Sequence, residues 1–129
     1  MNPEDLIARA VEVRENACAT YSNFKVGAAL LASSGKVYTG CNVENSTYGL
    51  TVCAERVALW KALSEGERTF TQIAVVTSSE PPASPCGACR QLLWEYCGDI
   101  KVILANLQGF RKTLDLAEIF PHPFDQRSL

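Results

Sequence analysis

The sequence predicts an α/β domain of three layers, α/β/α, with helices on both faces of a mixed central sheet of about five strands. Three observations predict it. Short apolar segments that read as strands alternate with longer helical ones, in the order α-β-β-α-β-α-β and a short tail. The first two strands flank Ser33-Ser34-Gly35-Lys36, a turn of hairpin length. The helical segment after Cys53 is apolar around most of its circumference, as in a helix packed inside a larger fold.

Each element has a local cause. Asn2-Pro3-Glu4-Asp5 opens a helix: Asn caps it, Pro takes the first helical position, and two acids meet the positive end of the dipole. Leu6, Ala10, Val13 and Ala17 then form an apolar stripe, predicting a helix over 3–17. Val26 to Ala32 is small and apolar, and Val37 to Cys41 is the returning hairpin strand. Asn42 to Val52 has no period and reads as a loop. From Cys53, the residues Val57, Ala58, Leu59, Trp60, Ala62 and Leu63 predict a buried helix, capped by Gly66. Gln72 to Thr77 is a central strand, and Pro81-Pro82-Ala83-Ser84-Pro85 a loop. A helix follows over 86–96, then a strand over 100–105, a turn at 106–109 and a short strand to Thr113. Leu114 to Phe120 is a short helix ended by Pro121 and Pro123. This alternation implies parallel pairings with right-handed crossovers, and a ligand beyond the carboxyl ends of the parallel strands.

Composition removes whole function classes. The 129 residues are expected to form a single domain, 1–129, with 47 % apolar and 20 % charged residues, which excludes disorder and coiled coil. A net charge of −2 argues against a nucleic-acid partner. No apolar run reaches the roughly 20 residues of a membrane span. Met1 to Arg14 carries five charges and does not read as a signal peptide, so the expected compartment is the cytoplasm.

Six cysteines then need a role. In a reducing compartment, clustered cysteines more often bind metal or do chemistry than form disulfides. Cys86 and Cys89 start one helix and Cys53 starts another. Unpaired first-turn amides and the helix dipole favour thiolates there. Three thiolates from two helix starts make a zinc site, and three protein ligands leave a position for water. Glu55, two residues after Cys53, places a carboxylate beside that metal without forcing it to ligate. Cys18, Cys41 and Cys97 read as buried small apolar residues.

Cys53-Ala54-Glu55-Arg56 followed by Pro85-Cys86-Gly87-Ala88-Cys89 resembles the zinc cytidine deaminases. Gly40-Cys41-Asn42-Val43-Glu44-Asn45 resembles that family's ribose-binding stretch, Tyr48 falls where the family has a tyrosine, and Phe120-Pro121-His122-Pro123-Phe124 is similar to its C-terminal Leu-Pro-x-x-Phe. The resemblance spans almost the whole chain, and its length is that of the small homotetrameric, three-cysteine branch. It implies a cytidine deaminase-like fold, one Zn²⁺ per chain on Cys53, Cys86 and Cys89, and a small nucleoside substrate. The implied reaction is hydrolytic deamination of cytidine and deoxycytidine, by zinc-bound hydroxide attack at C4 with Glu55 as proton shuttle. Substrate contacts are implied for Phe24, Asn42, Glu44 and Ala54. Tyr48 and Phe124 are implied to reach a neighbouring subunit's site.

Three thiolates leave zinc with a net negative charge, which opposes ionisation of water. Arg56 is therefore expected to donate to a ligand sulfur and restore positive field. Competing readings remain. The site could belong to a deaminase of a cytosine nucleoside antibiotic. The metal could be structural, closed by Cys41, Cys97 or His122 in a non-catalytic module. Cys86-Gly87-Ala88-Cys89 could be a redox pair, which leaves Cys53 and Glu55 without a task.

Overall fold

The computed structural model describes residues Met1–Leu129. In chain order they form α1 (Pro3–Arg14), β1 (Gly27–Ala32), β2 (Val37–Cys41), α2 (Ala54–Ser64), β3 (Phe70–Thr77), α3 (Gly87–Cys97), β4 (Lys101–Asn106), β5 (Arg111–Asp115) and α4 (Leu116–Ile119). Short 3-10 turns lie at Tyr48–Leu50 and Gln126–Ser128. Asn2 caps α1 as expected, its Oδ1 accepting the Asp5 N–H at 2.9 Å. The helix ends at Arg14 rather than near residue 17, because Asn16 and Ala17 turn the chain toward a bridge between Cys18 and Val43.

The five strands make one sheet in the order β2-β1-β3-β4-β5. The expected parallel pairing occurs only between β3 and β4. β1 pairs antiparallel with both β2 and β3, and β5 antiparallel with β4. The reason is the hairpin. It reverses the chain before α2, so the crossover joins β2 to β3 and β1 lies between them, running the other way.

Period-two alternation builds two cores from the same strands. Leu30, Ile73, Val75, Val102 and Leu104 face α2 and α3, together with Ala54, Ala58, Leu59 and Leu93. Their neighbours Ala29, Leu31, Ala74, Val76 and Ile103 face α1, against Leu6, Ile7 and Ala10. The sheet is thus covered on both faces, and the three expected layers are present. α2 is less buried than its composition predicts. Ala54, Glu55, Ala58, Leu59 and Ala62 are buried, but Trp60 is 47 % exposed.

Two glycines let helices sit down on the sheet. A Cβ on Gly40 would lie 2.5 Å from the Ala54 carbonyl oxygen, so Gly40 allows α2 its close approach. A Cβ on Gly27 would lie 2.0 Å from the Ala10 carbonyl oxygen in α1. Backbone on both sides cannot yield as a flexible side chain would. Gly27→Ala is expected to cost about 3 kcal/mol and to lower the thermal unfolding midpoint by about 10 °C. Calorimetry checks this, and an unchanged midpoint would mean that α1 is not seated here. No helix is long and apolar enough to cross a membrane.

Candidate active site

The site forms where α2 and α3 begin. Cys53 and Cys86 are the N-cap residues of these helices, both in extended backbone conformation, and neither side chain makes a capping hydrogen bond. Their sulfurs are left to meet. Cys89 lies one turn into α3 and is fully buried. The sulfurs of Cys53, Cys86 and Cys89 all lie within 4.8 Å of one another, and those of Cys86 and Cys89 are 3.5 Å apart. Ligands of tetrahedral zinc with thiolates at about 2.3 Å stand about 3.8 Å apart, so the three sulfurs fit one such ion. No fourth Cys, His, Asp or Glu joins this cluster. The closure by Cys41, Cys97 or His122 that a structural zinc would need is therefore not formed, and Glu55 stands outside the ligand set.

Charge is distributed unevenly over the trio. The Cys53 thiol is pulled down to about 5, first by a hydrogen bond from Cys89 and then by Arg56. Cys89 is pushed up instead of down, because it gives its proton toward Cys53 and lies buried. Without a cation, these hydrogen bonds favour the thiolate at Cys53 over Cys89. A divalent ion reverses this, since coordinated thiols are deprotonated outright. Arg56 sits where the charge argument placed it. Its Nη2 donates to Cys53 Sγ at 3.3 Å, while its buried Nε has no partner within the chain.

Glu55 is in the first turn of α2 and only 5 % exposed. Burial pushes its carboxyl up to about 7, since a desolvated carboxylate is costly. It opens on a cavity of about 270 Å³ that it shares with Cys53, Ala54, Cys86, Phe24, Asn42 and Glu44. Seven of the sequence-predicted site residues thus converge on one space. Cys89 lies behind it in the core. Tyr48 and Phe124 do not line it within one chain. Tyr48 is 75 % exposed and stacks edge-on against Tyr21 at 6.1 Å, and Phe124 is 60 % exposed.

Asn42 and Glu44 are already engaged with the chain. Asn42 Oδ1 accepts the Val26 N–H and Asn42 Nδ2 donates to the Phe24 carbonyl, both at 2.8 Å. Glu44 accepts from the backbone of Tyr21 and Ser22 and from the Ser22 hydroxyl, which holds its carboxyl below the usual range. The other cysteines are not the buried apolar residues expected: Cys18 is exposed, and Cys41 and Cys97 are half-buried.

Sequence reasoning missed several residues that line or support the cavity. Thr77 ends β3 and accepts the Ala83 N–H at 3.1 Å, fixing the loop that precedes Cys86. Its position at the carboxyl end of a parallel strand was the available signal. Arg90 lies one turn after Cys86. It donates to the Pro85 carbonyl at 2.7 Å, to Ser84 Oγ at 2.8 Å and to the Ile119 carbonyl, tying the loop before Cys86 to the end of α4. Ser22 had no local signal, because its partner is 22 residues away.

A buried carboxylate beside a three-thiol cluster, on an α/β/α sheet, defines the class of zinc-binding deaminase domains. Residues 1–106 match the family model described as the cytidine and deoxycytidylate deaminase zinc-binding region. The chain belongs to that family. It is 49 % identical over 130 residues to a cytidine deaminase of Sporosarcina psychrophila, covering 100 % of this chain and 96 % of the relative. It is 50 % identical over 125 residues to a cytidine deaminase of Halalkalibacterium halodurans, covering 96 % and 95 %. The crystal structure of cytidine deaminase from Burkholderia pseudomallei superposes with a TM-score of 0.92 at 48 % identity, covering 96 % of this chain and 100 % of that one.

Proposed function

We propose that this chain, acting as one domain, hydrolyses the exocyclic amine of cytidine and deoxycytidine to give uridine or deoxyuridine and ammonia. The observation that carries this reading is the buried Glu55 carboxyl opening on the same cavity as Cys53 and Cys86. A zinc ion on Cys53, Cys86 and Cys89 would supply Lewis acidity and make water ionisable near neutral pH. The chain's own residues do the rest. Glu55 takes a proton from the attacking water and delivers it to N3 of the base. A second proton passes through the same carboxylate to the amine. The water oxygen stays on C4, the C4–N bond breaks, and ammonia leaves. Arg56 offsets the excess negative charge of three thiolates by its donation to Cys53. Phe24 packs on the nucleoside, Ala54 lines the base end, and Asn42 and Glu44 receive the sugar hydroxyls.

The test is an ultraviolet assay of zinc-loaded protein with cytidine, which loses its absorption band on deamination. Turnover with release of ammonia supports the reading. Zinc bound at one per chain without turnover of cytidine or deoxycytidine would overturn that substrate, and turnover of a cytosine nucleoside antibiotic would replace it.

Oligomerisation belongs to the same reading. Tyr48, Leu50 and Phe124 are large apolar residues left 60 % to 75 % exposed. Trp60 and Val43 are nearly half exposed on the surface that holds α2. Large apolar residues exposed in this number favour burial against other copies. Light scattering should give the mass of a homotetramer. A fully active monomer would refute it and, with it, the role of Tyr48 and Phe124 at a neighbour's site. Free thiols throughout fit the cytoplasm, where they stay reduced.

A further inference from the structure

We propose that Ser22 is a positioning residue for sugar recognition, orienting the Glu44 carboxylate through its hydroxyl group. This rests on the nucleoside reading and adds a residue that sets its selectivity.

The polarity of the network is determined by its ends. The Phe24 N–H, 3.0 Å from Ser22 Oγ, can only donate. The Glu44 carboxylate, when ionised, can only accept. The Ser22 hydroxyl therefore accepts from Phe24 and gives its single proton to Glu44 Oε2. Asn23, between them, has φ 56°, a left-handed conformation that Asn tolerates better than most residues, and it lets the Phe24 amide turn back onto Ser22. Asn42 closes a second clasp on the same loop through the Phe24 carbonyl and the Val26 amide. The loop that carries Phe24 and the stretch that carries Asn42 and Glu44 thus hold one another. Ser22, Phe24, Asn42 and Glu44 all line the cavity that holds Glu55.

The donors also divide the two carboxylate oxygens. Oε1 takes the Tyr21 N–H at 2.9 Å and the Ser22 N–H at 3.0 Å, which fills its usual capacity. Oε2 takes only the Ser22 hydroxyl, so it keeps a free acceptor position. A sugar hydroxyl is therefore accepted at Oε2, beside Ser22. Without the Ser22 hydroxyl, Oε2 loses the donor that sets its direction, while the Asn42 clasp still holds the loop that carries Phe24.

Three forms of the protein test this: wild type, Ser22→Ala and Ser22→Thr, each zinc-loaded and checked for unchanged circular dichroism. Each is assayed with cytidine and with 2′,3′-dideoxycytidine, which lacks the hydroxyls to be read. Ser22→Ala should raise KM for cytidine about tenfold, the scale of one hydrogen bond to a charged group, with kcat within about twofold. Its kcat/KM for dideoxycytidine should stay near the wild-type value, and Ser22→Thr, which keeps the hydroxyl, should recover KM for cytidine. Equal losses on both substrates would assign Ser22 a merely structural role and overturn the proposal. So would a Ser22→Ala protein that matches wild type on cytidine, or a Ser22→Thr protein that fails to recover. A wild-type protein inactive on every cytosine nucleoside would instead refute the nucleoside reading, and the Ser22 role would fall with it.

Discussion

Glu55→Gln is expected to keep the fold and one zinc per chain while losing turnover by about 10³-fold or more. The substitution is nearly isosteric in a site only 5 % exposed, so no cavity opens. Glu55 is not one of the clustered ligands, so metal binding needs no carboxylate there. The lost property is proton transfer. Burial holds the Glu55 carboxyl near 7, where it can both take and give a proton at neutral pH. An amide can do neither. Removing a desolvated, titratable group should leave stability unchanged or slightly raised. Metal analysis, thermal unfolding and steady-state rates on the same preparation separate these effects. Near-normal turnover would remove Glu55 from the mechanism. Loss of zinc in step with activity would make Glu55 a support of the metal instead.

Cys89→Ser is expected to abolish stoichiometric zinc and, with it, turnover. Cys89 is fully buried and is the cluster member that also donates toward Cys53. A hydroxyl in its place is a far poorer zinc ligand than a thiolate, and two thiols rarely hold zinc alone. The variant should also unfold at lower temperature than the zinc-loaded wild type. A metal present at about 100 times its dissociation constant contributes about 2.7 kcal/mol to the folded state, and the variant loses that term. Chelation of the wild type should reproduce the same shift and reverse on adding zinc. Cys18→Ser, at an exposed thiol outside the cluster, is the control and should change neither metal content nor rate. A Cys89→Ser protein with one zinc and full activity would break the three-ligand assignment.

Both predictions concern residues that were legible in the sequence, and for one reason. Cys53 and Glu55 lie within one turn of each other, as do Cys86 and Cys89, so the geometry of a helix start is enough to relate them. The hairpin was legible for the same reason, because four turn residues and two apolar runs are adjacent in the chain. Arg56 followed from a charge count, and its contact with Cys53 spans only three positions.

The features that were not legible are set by distance along the chain. Ser22 reaches Glu44 across 22 positions, and Arg90 reaches Ile119 across 29. Neither pair leaves a periodic trace. The antiparallel pairing of β1 with β3 was missed because alternation of strands and helices does not say which strand a crossover skips. Trp60 and Cys18 were misplaced because apolar character marks what tends to be buried, not which neighbour is present to cover it.

The helix starts that carry Cys53, Glu55, Cys86 and Cys89, the strand segments, and the family pattern they compose are all readable along the chain. Strand order, the meeting of the three sulfurs, the free oxygen of the Glu44 carboxylate and the exclusion of Tyr48 and Phe124 from the cavity of their own chain came from the folded arrangement alone. The two groups differ in the range of the forces involved. Backbone periodicity, capping and dipoles act within a few residues and are written locally. Desolvation, packing and long-range hydrogen bonds depend on what the folded chain brings alongside.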